Sequence, residues 1–238
     1  LTATLYPYLS LALGTFEVNL VEMVSAYSVF PNKGIRILPS FIGKIQDRDG
    51  NLLEETVLEA EEVISPQTAY LMTNLMEGVI QRGTGKAAGI FLNDTALGGK
   101  TGTTDNYTDA WFIGFSPSLC VGVWVGKDDN TPLGKGEEGA LTALPIWMEF
   151  FGRVIADAKA KAAEAGIELY PEEFEVPPSI HFVAIDRKTG LLATEACKWR
   201  FMEAFLEGTE PNRLCSNLDH ISTYDYNGTL KDKSEHRP

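Results

Sequence analysis

Apolar residues recur at helical spacing in three stretches of the chain, with strand-sized runs between them. Residues 1–14 are apolar but irregular, broken by Pro7 and Gly14. Asn19, with Glu22 three positions on, has the form of a capping box. Leu20, Met23, Val24, Tyr27 and Phe30 follow on one helical face, and Pro31-Asn32-Lys33-Gly34 ends the helix. Residues 41–46 and 52–57 predict a β-hairpin around an Asp49-Gly50 turn. Glu54, Glu55, Glu59, Glu61 and Glu62 read as a solvated face that needs no ligand. Ser65 is a cap, and Pro66 takes the first position of a second helix. Ala69, Met72, Met76 and Val79 form its inner stripe, and Gly83 stops it.

Three strands are predicted next, over 95–104, 109–115 and 119–126, with polar turns at 105–108 and 116–118. Residues 134–139 read as a mobile polar loop. A long helix over 144–165 carries Leu144, Trp147, Met148, Phe151, Val154, Ile155 and Ala158 on one face and closes at Gly166. Pro171, Pro177 and Pro178 then mark a linker, and 181–185 a short strand. Periodicity fades from Thr194 onward. The expected organisation is a main domain over 1–166 and a tail over 167–238, without internal repeats.

Composition narrows the partners. Twenty Lys and Arg against 33 Asp and Glu give a net charge of −13 over 238 residues, with 44% apolar and 22% charged positions. That balance is globular. The acidity argues against nucleic acid, whose phosphates need clustered Lys and Arg, and against an anionic membrane surface. The longest apolar run, 119–125, falls far short of the about 20 residues that span a bilayer. No basic segment followed by an apolar one precedes it, so a leader or anchor is absent, removed or upstream of Leu1.

Cys120 lies in an apolar run and reads as a small buried hydrophobe. Cys197 and Cys215 stand 18 positions apart in the polar tail. A tail with little core gains from a staple, so a Cys197–Cys215 disulfide is expected, with two free thiols as the open alternative. No metal is expected. There is no Cys-x-x-Cys, and His181, His220 and His236 read as surface or packing residues rather than ligands.

The segment that points to chemistry is Gly98-Gly99-Lys100-Thr101-Gly102-Thr103-Thr104. Gly99-Lys100-Thr101 matches the end of a phosphate loop. That loop needs Gly six residues before the Lys, where this chain has Asp94. The other reading is the Lys-Thr-Gly motif of acyl-transferring serine enzymes. Alone, such a triplet arises by accident in about one chain in ten. Its surroundings are more specific. Asp109-Ala110-Trp111-Phe112-Ile113-Gly114-Phe115 and Gly122-Val123-Trp124-Val125-Gly126 follow it. Leu11-Ala12-Leu13-Gly14, Ser25-Ala26-Tyr27, Gln81-Arg82-Gly83-Thr84-Gly85 and Gly208-Thr209-Glu210-Pro211 add to it.

Together these stretches resemble the C-terminal part of the transpeptidase domain of the bifunctional, class A penicillin-binding proteins, over most of 9–215. The resemblance implies an α/β architecture of the α+β type, shared with serine β-lactamases: an antiparallel sheet flanked by helices, here its C-terminal portion only. It implies that Lys100 and Thr103 serve catalysis, Lys100 by charge and Thr103 by a backbone N–H aimed at an oxyanion. It also implies that Thr101, Gly102, Thr103 and Thr104 bind the carboxylate-bearing substrate or penicillin. The physics of an acyl-transfer site agrees: it needs fixed positive charge and oxyanion donors, and alternate strand residues share a face. Trp111, Phe112 and Trp124 are expected to pack between the sheet and the 144–165 helix, and Arg82 and Thr84, between helix and sheet, to line the cleft rim.

The family also needs Ser-x-x-Lys and Ser-x-Asn. No Ser here has Lys at plus three or Asn at plus two. The expected partners are therefore an N-terminal portion of the same protein carrying both motifs, peptidoglycan stem peptides and β-lactams. Nucleic acid is excluded, and a membrane enters only through an N-terminal anchor. No cofactor is implied for transpeptidation. The resemblance also implies an extracytoplasmic location and an upstream glycosyltransferase. A serine β-lactamase-like hydrolase and a non-catalytic penicillin-recognising module are the alternatives. Rapid penicillin turnover marks the first, and lack of an upstream Ser-x-x-Lys marks the second.

Overall fold

The computed structural model describes residues 6–220. Two compact units divide between Pro177 and Pro178. The expected division at 166 falls instead at the end of a helix. Residues 167–177 return along the first unit, where Ala96 N–H donates to Glu172 O at 2.8 Å and Ser118 Oγ to the Glu172 carboxylate at 2.7 Å. His236 and the rest of 221–238 lie outside the described residues.

In the first unit, α1 (Leu20–Ser28) is capped as expected: Asn19 Oδ1 accepts the Glu22 N–H at 2.8 Å. β1 (Ile35–Ile37), β2 (Lys44–Gln46), β3 (Leu52–Glu55) and β4 (Ala60–Glu62) form two small antiparallel pairs, β1 with β4 and β2 with β3. The β2–β3 hairpin is the predicted one. Asp47 Oδ1 closes its turn by accepting the N–H groups of Asp49 and Asn51. The β1–β4 pair was not expected, because strands of three residues are too short for alternation to stand out.

α2 (Pro66–Arg82) starts at the Ser65 cap, whose hydroxyl accepts the Thr68 N–H at 3.2 Å. Its buried line is Ala69, Thr73, Met76 and Ile80: Ala69 and Met76 are as predicted, whereas Met72 is exposed and Val79 is only partly buried. A threonine can hold that inner position because its hydroxyl donates to the Ala69 carbonyl at 3.0 Å.

β5 (Gly98–Thr103), β6 (Asp109–Phe115) and β7 (Cys120–Gly126) form an antiparallel sheet in chain order. α3 (Ala143–Ala165) packs on β6 and β7, α1 on β7 and α2 along β5. This is the expected sheet flanked by helices. The core is Ile80, Leu97, Ala110, Phe112, Leu144, Trp147 and Phe151. Trp147 is fully buried. It stacks on Phe151 at 4.5 Å, meets Phe112 edge-on at 5.2 Å, and donates its indole N–H to Val121 O at 3.2 Å. Val154 and Ala158 lie on the exposed side of α3. Phe112 takes its expected place under α3. Trp111 and Trp124 do not: they pair across β6 and β7 at 6.2 Å, on the sheet face opposite Phe112 because neighbouring strand residues alternate. Cys120 is largely buried, and that burial pushes its thiol up to about 12.

The second unit is a hairpin of β8 (Ile180–Asp186) and β9 (Arg200–Leu206), paired from Ile180↔Leu206 to Asp186↔Arg200. β9 lies where periodicity was judged absent. Residues 191–197 are strapped to 213–215 by Leu192 N–H to Arg213 O at 3.1 Å and Cys215 N–H to Leu192 O at 2.8 Å. The expected disulfide is not formed in this structure: Cys197 and Cys215 are buried thiols. Both sulfurs also meet other groups. Cys197 Sγ accepts the Thr194 N–H at 3.3 Å, and Cys215 Sγ lies 2.9 Å from His220 Nε2. Burial pushes the Cys197 thiol up, but hydrogen bonds from Thr194, Cys215 and His220 outweigh it and bring it to about 7.

Candidate functional site

β5 is an outer strand of its sheet, and its pairing with β6 decides where its backbone points. Thr104 N–H donates to Asp109 O at 3.3 Å. An antiparallel ladder alternates hydrogen-bonded and open pairs. In this register, Thr103↔Ala110 and Thr101↔Phe112 are therefore the open ones. The N–H and C=O groups of Thr101 and Thr103 thus face the outer edge. Lys100 Nζ donates to Thr101 O at 2.8 Å, which sets an ammonium on that edge.

The Thr101 and Thr103 side chains share a face, and each is held by a neighbour. Thr101 Oγ1 lies 2.8 Å from Thr84 Oγ1. Thr103 Oγ1 accepts the Gly139 N–H at 3.1 Å. A hydroxyl that accepts one N–H still has its own proton to donate, so Thr103 keeps a donor beyond its bond to Gly139. Gly102 faces Trp111: a Cβ there would stand 3.0 Å from the Trp111 Cβ, so its smallness serves the sheet as well as any ligand.

The hydroxyl of Thr104, expected among the substrate-binding residues, closes the turn. It accepts the N–H groups of Thr108 at 3.0 Å and Asp109 at 2.9 Å. Asp109 anchors the same turn, accepting the Trp124 indole N–H at 2.8 Å. Arg82, expected at the rim, ends α2 and donates to Gln81 at 3.0 Å. Cys197 and Cys215 belong to the second unit.

Thr84, expected at the rim, meets Thr101. Gly139 is the neighbour absent from the sequence-derived site, since its segment read as a mobile loop. Here that segment is tied by Thr142 Oγ1 to the Glu137 carboxylate at 2.6 Å and by Leu144 N–H to Gly139 O at 2.9 Å. Gly139 lies flat on the sheet. A Cβ on it would stand 2.4 Å from Trp111 O and 2.6 Å from Gly102 O.

An outer strand presenting Lys-Thr-Gly-Thr, on an antiparallel sheet flanked by helices, defines a class: the penicillin-binding transpeptidase fold. The crystal structure of penicillin-binding protein 1A from Haemophilus influenzae matches with a TM-score of 0.74 and 30% identity, over 89% of this chain and 35% of that one. PonA1 of Mycobacterium tuberculosis matches with a TM-score of 0.51 and 28% identity, over 60% of this chain and 40% of that one. The chain belongs to the penicillin-binding protein transpeptidase family, whose profile, the penicillin binding protein transpeptidase domain, matches residues 6–135. The profile of the penicillin-binding protein 1A C-terminal domain matches residues 176–220.

Among curated relatives, penicillin-binding protein 1A of Aquifex aeolicus is 42% identical over 91% of this chain and 28% of its own length. That of Pseudomonas aeruginosa is 32% identical over 85% of this chain and 29% of its own. The chain thus spans under a third of the length of these two relatives. Among the described residues, no helix is long and apolar enough to cross a membrane.

A Gly139→Ala substitution should lower the rate at which the intact protein is acylated by a fluorescent penicillin by about 10²-fold, because it displaces β5 relative to its neighbours. Stopped labelling time courses check it, with the far-ultraviolet spectrum as the control for folding.

Proposed function

We propose that this chain forms the Lys-Thr-Gly wall of a serine D,D-transpeptidase that cross-links peptidoglycan. A Ser-x-x-Lys and a Ser-x-Asn segment, N-terminal to Leu1 or on a partner chain, complete the site. The observation that carries the reading is the outer edge of β5, where Lys100 Nζ sits on Thr101 O and the Thr103 N–H points outward.

In this mechanism the upstream Ser attacks the carbonyl of the penultimate D-Ala of a stem peptide. The Thr103 N–H is one of two donors to the oxyanion. The Thr101 and Thr103 hydroxyls hold the terminal carboxylate, and Lys100 keeps the edge electropositive while meeting the Ser of the Ser-x-Asn segment. The terminal D-Ala leaves. The amine of a second stem peptide then attacks the ester carbonyl, forms the cross-link and frees the Ser. β-Lactams acylate the same Ser. No cofactor is required for this step. The reading carries an extracytoplasmic location, an N-terminal membrane anchor and an upstream glycosyltransferase.

Mapping the adduct after incubating the intact protein with a fluorescent penicillin tests the division of labour. The label is expected on a Ser N-terminal to Leu1. Covalent label within this chain would overturn it, because nucleophilic catalysis needs a Ser within reach of its base.

A further inference from the structure

The second unit gathers four ligand-bearing side chains that transpeptidation does not use. One ligand atom from each of Asp186, Cys197, Cys215 and His220 lies within 4.8 Å of the others. Asp186 ends β8, Cys197 ends the strapped segment, Cys215 precedes the single turn Asn217–His220, and His220 closes it. Asp186, Cys197 and Cys215 are 1%, 4% and 3% exposed. These are the values of a closed interior cluster rather than a wet surface.

We propose that Asp186, Cys197, Cys215 and His220 form a structural zinc site.

Two sulfurs, one imidazole nitrogen and one carboxylate oxygen are a ligand set that suits zinc, and four protein ligands leave no open position. In a tetrahedral site with bonds of about 2.0–2.3 Å, ligand atoms stand closer together than the outer limit seen here. Small closing movements therefore complete the shell. The supporting contacts are already in place. Thr189 N–H at 3.0 Å and Thr189 Oγ1 at 2.8 Å both donate to Asp186 Oδ2. The Thr194 N–H donates to Cys197 Sγ, and Thr194 Oγ1 donates to Cys215 O at 3.0 Å, tying the two cysteine segments together. Asp219 accepts from Ser216 N–H at 2.8 Å and Arg213 at 2.7 Å, which fixes the turn bearing His220. Such outer contacts orient metal ligands.

A Cys197–Cys215 disulfide would account for two of the four groups and leave out His220 and the buried Asp186 carboxylate, which Thr189 hydrogen bonds hold in place. Burying a carboxylate is costly unless a positive partner compensates it. Zinc accounts for all four. Its binding turns both thiols into thiolates, releases their protons to solvent and takes the imidazole neutral through Nε2. The unit has reason to need such a staple. Its buried apolar residues are Ile185, Cys197, Ala204 and Cys215, and small cores commonly rely on a metal or a disulfide.

The test uses the intact protein and zinc or cobalt(II) alone. Purified with its thiols reduced and then freed of loose metal by gel filtration, it should retain about one zinc per chain. Cobalt(II) in its place should give the intense visible bands of a tetrahedral site together with a thiolate-to-cobalt charge-transfer band. Cys197 and Cys215 should resist alkylation until a chelator is added. Cys215→Ser should remove the charge-transfer intensity, and His220→Ala should weaken cobalt binding at least tenfold. The cobalt spectrum of the unsubstituted protein decides the matter even where a variant fails to fold. A Cys197–Cys215 disulfide peptide in the native protein, or folded reduced protein that retains neither metal, overturns the proposal.

Discussion

Replacing Lys100 by Ala should lower acylation of the intact protein by a fluorescent penicillin by about 10²–10³-fold, the cost of removing one preorganised polar group from an acyl-transfer site. Its Nζ is held on Thr101 O at 2.8 Å, so the charge already stands at the strand edge to which the proposed mechanism brings the oxyanion and carboxylate. Lys100→Arg keeps the charge but replaces a compact ammonium with a planar fork, and should recover only part of the rate. Thr103→Val removes the hydroxyl while keeping the backbone N–H. It should raise the penicillin concentration needed for half-maximal acylation more than it lowers the limiting rate. Measured acylation rates against penicillin concentration separate the two. A Lys100→Ala protein that labels within twofold of the unsubstituted rate contradicts the role given to this strand edge.

Trp147→Ala should cost about 3–5 kcal/mol of unfolding free energy, the range for truncating a large buried aromatic. Trp147 lies between the sheet and the rest of α3, against Phe112, Phe151 and Phe91. Truncation therefore opens a cavity at the centre of the core that no neighbouring chain can fill without moving. It also removes the donor to Val121 O. A domain holds a margin of about 5–15 kcal/mol, so the variant should be expressed poorly and label weakly because little of it is folded. Trp147→Phe keeps most of the packing and loses the hydrogen bond, at about 1–3 kcal/mol. Denaturant unfolding of the intact proteins checks both values. A loss under 1 kcal/mol for the Ala variant contradicts this placement of the core.

The features legible in the sequence were those written locally. Asn19 with Glu22 and Ser65 with Pro66 announce two helix starts, and both caps are present. Gly166 stops α3 in the left-handed region at φ 67°. Lys100-Thr101-Gly102-Thr103 lies in consecutive residues, so the strand could be read directly from them. What escaped depends on distant residues. The buried phase of α2 is set by what β5 offers it, which is how Thr73 takes an inner place and Met72 an outer one. β9 has no clean alternation because the hairpin it forms with β8 buries only Ala204 of its residues. Gly139 reaches Thr103 across 36 positions. The Asp186, Cys197, Cys215 and His220 cluster escaped for the same reason. Metal-site spacing rules look for pairs close in sequence, and here the strap between 191–197 and 213–215 brings the cysteines together.

The most direct test of the central claim is a crystal structure of the intact protein acylated by a penicillin. The account predicts the adduct's carbonyl oxygen about 2.7–3.1 Å from the Thr103 backbone nitrogen, with its carboxylate on the Thr101 and Thr103 hydroxyls. An adduct whose carbonyl points away from β5, or whose carboxylate is bound without either threonine, would contradict it.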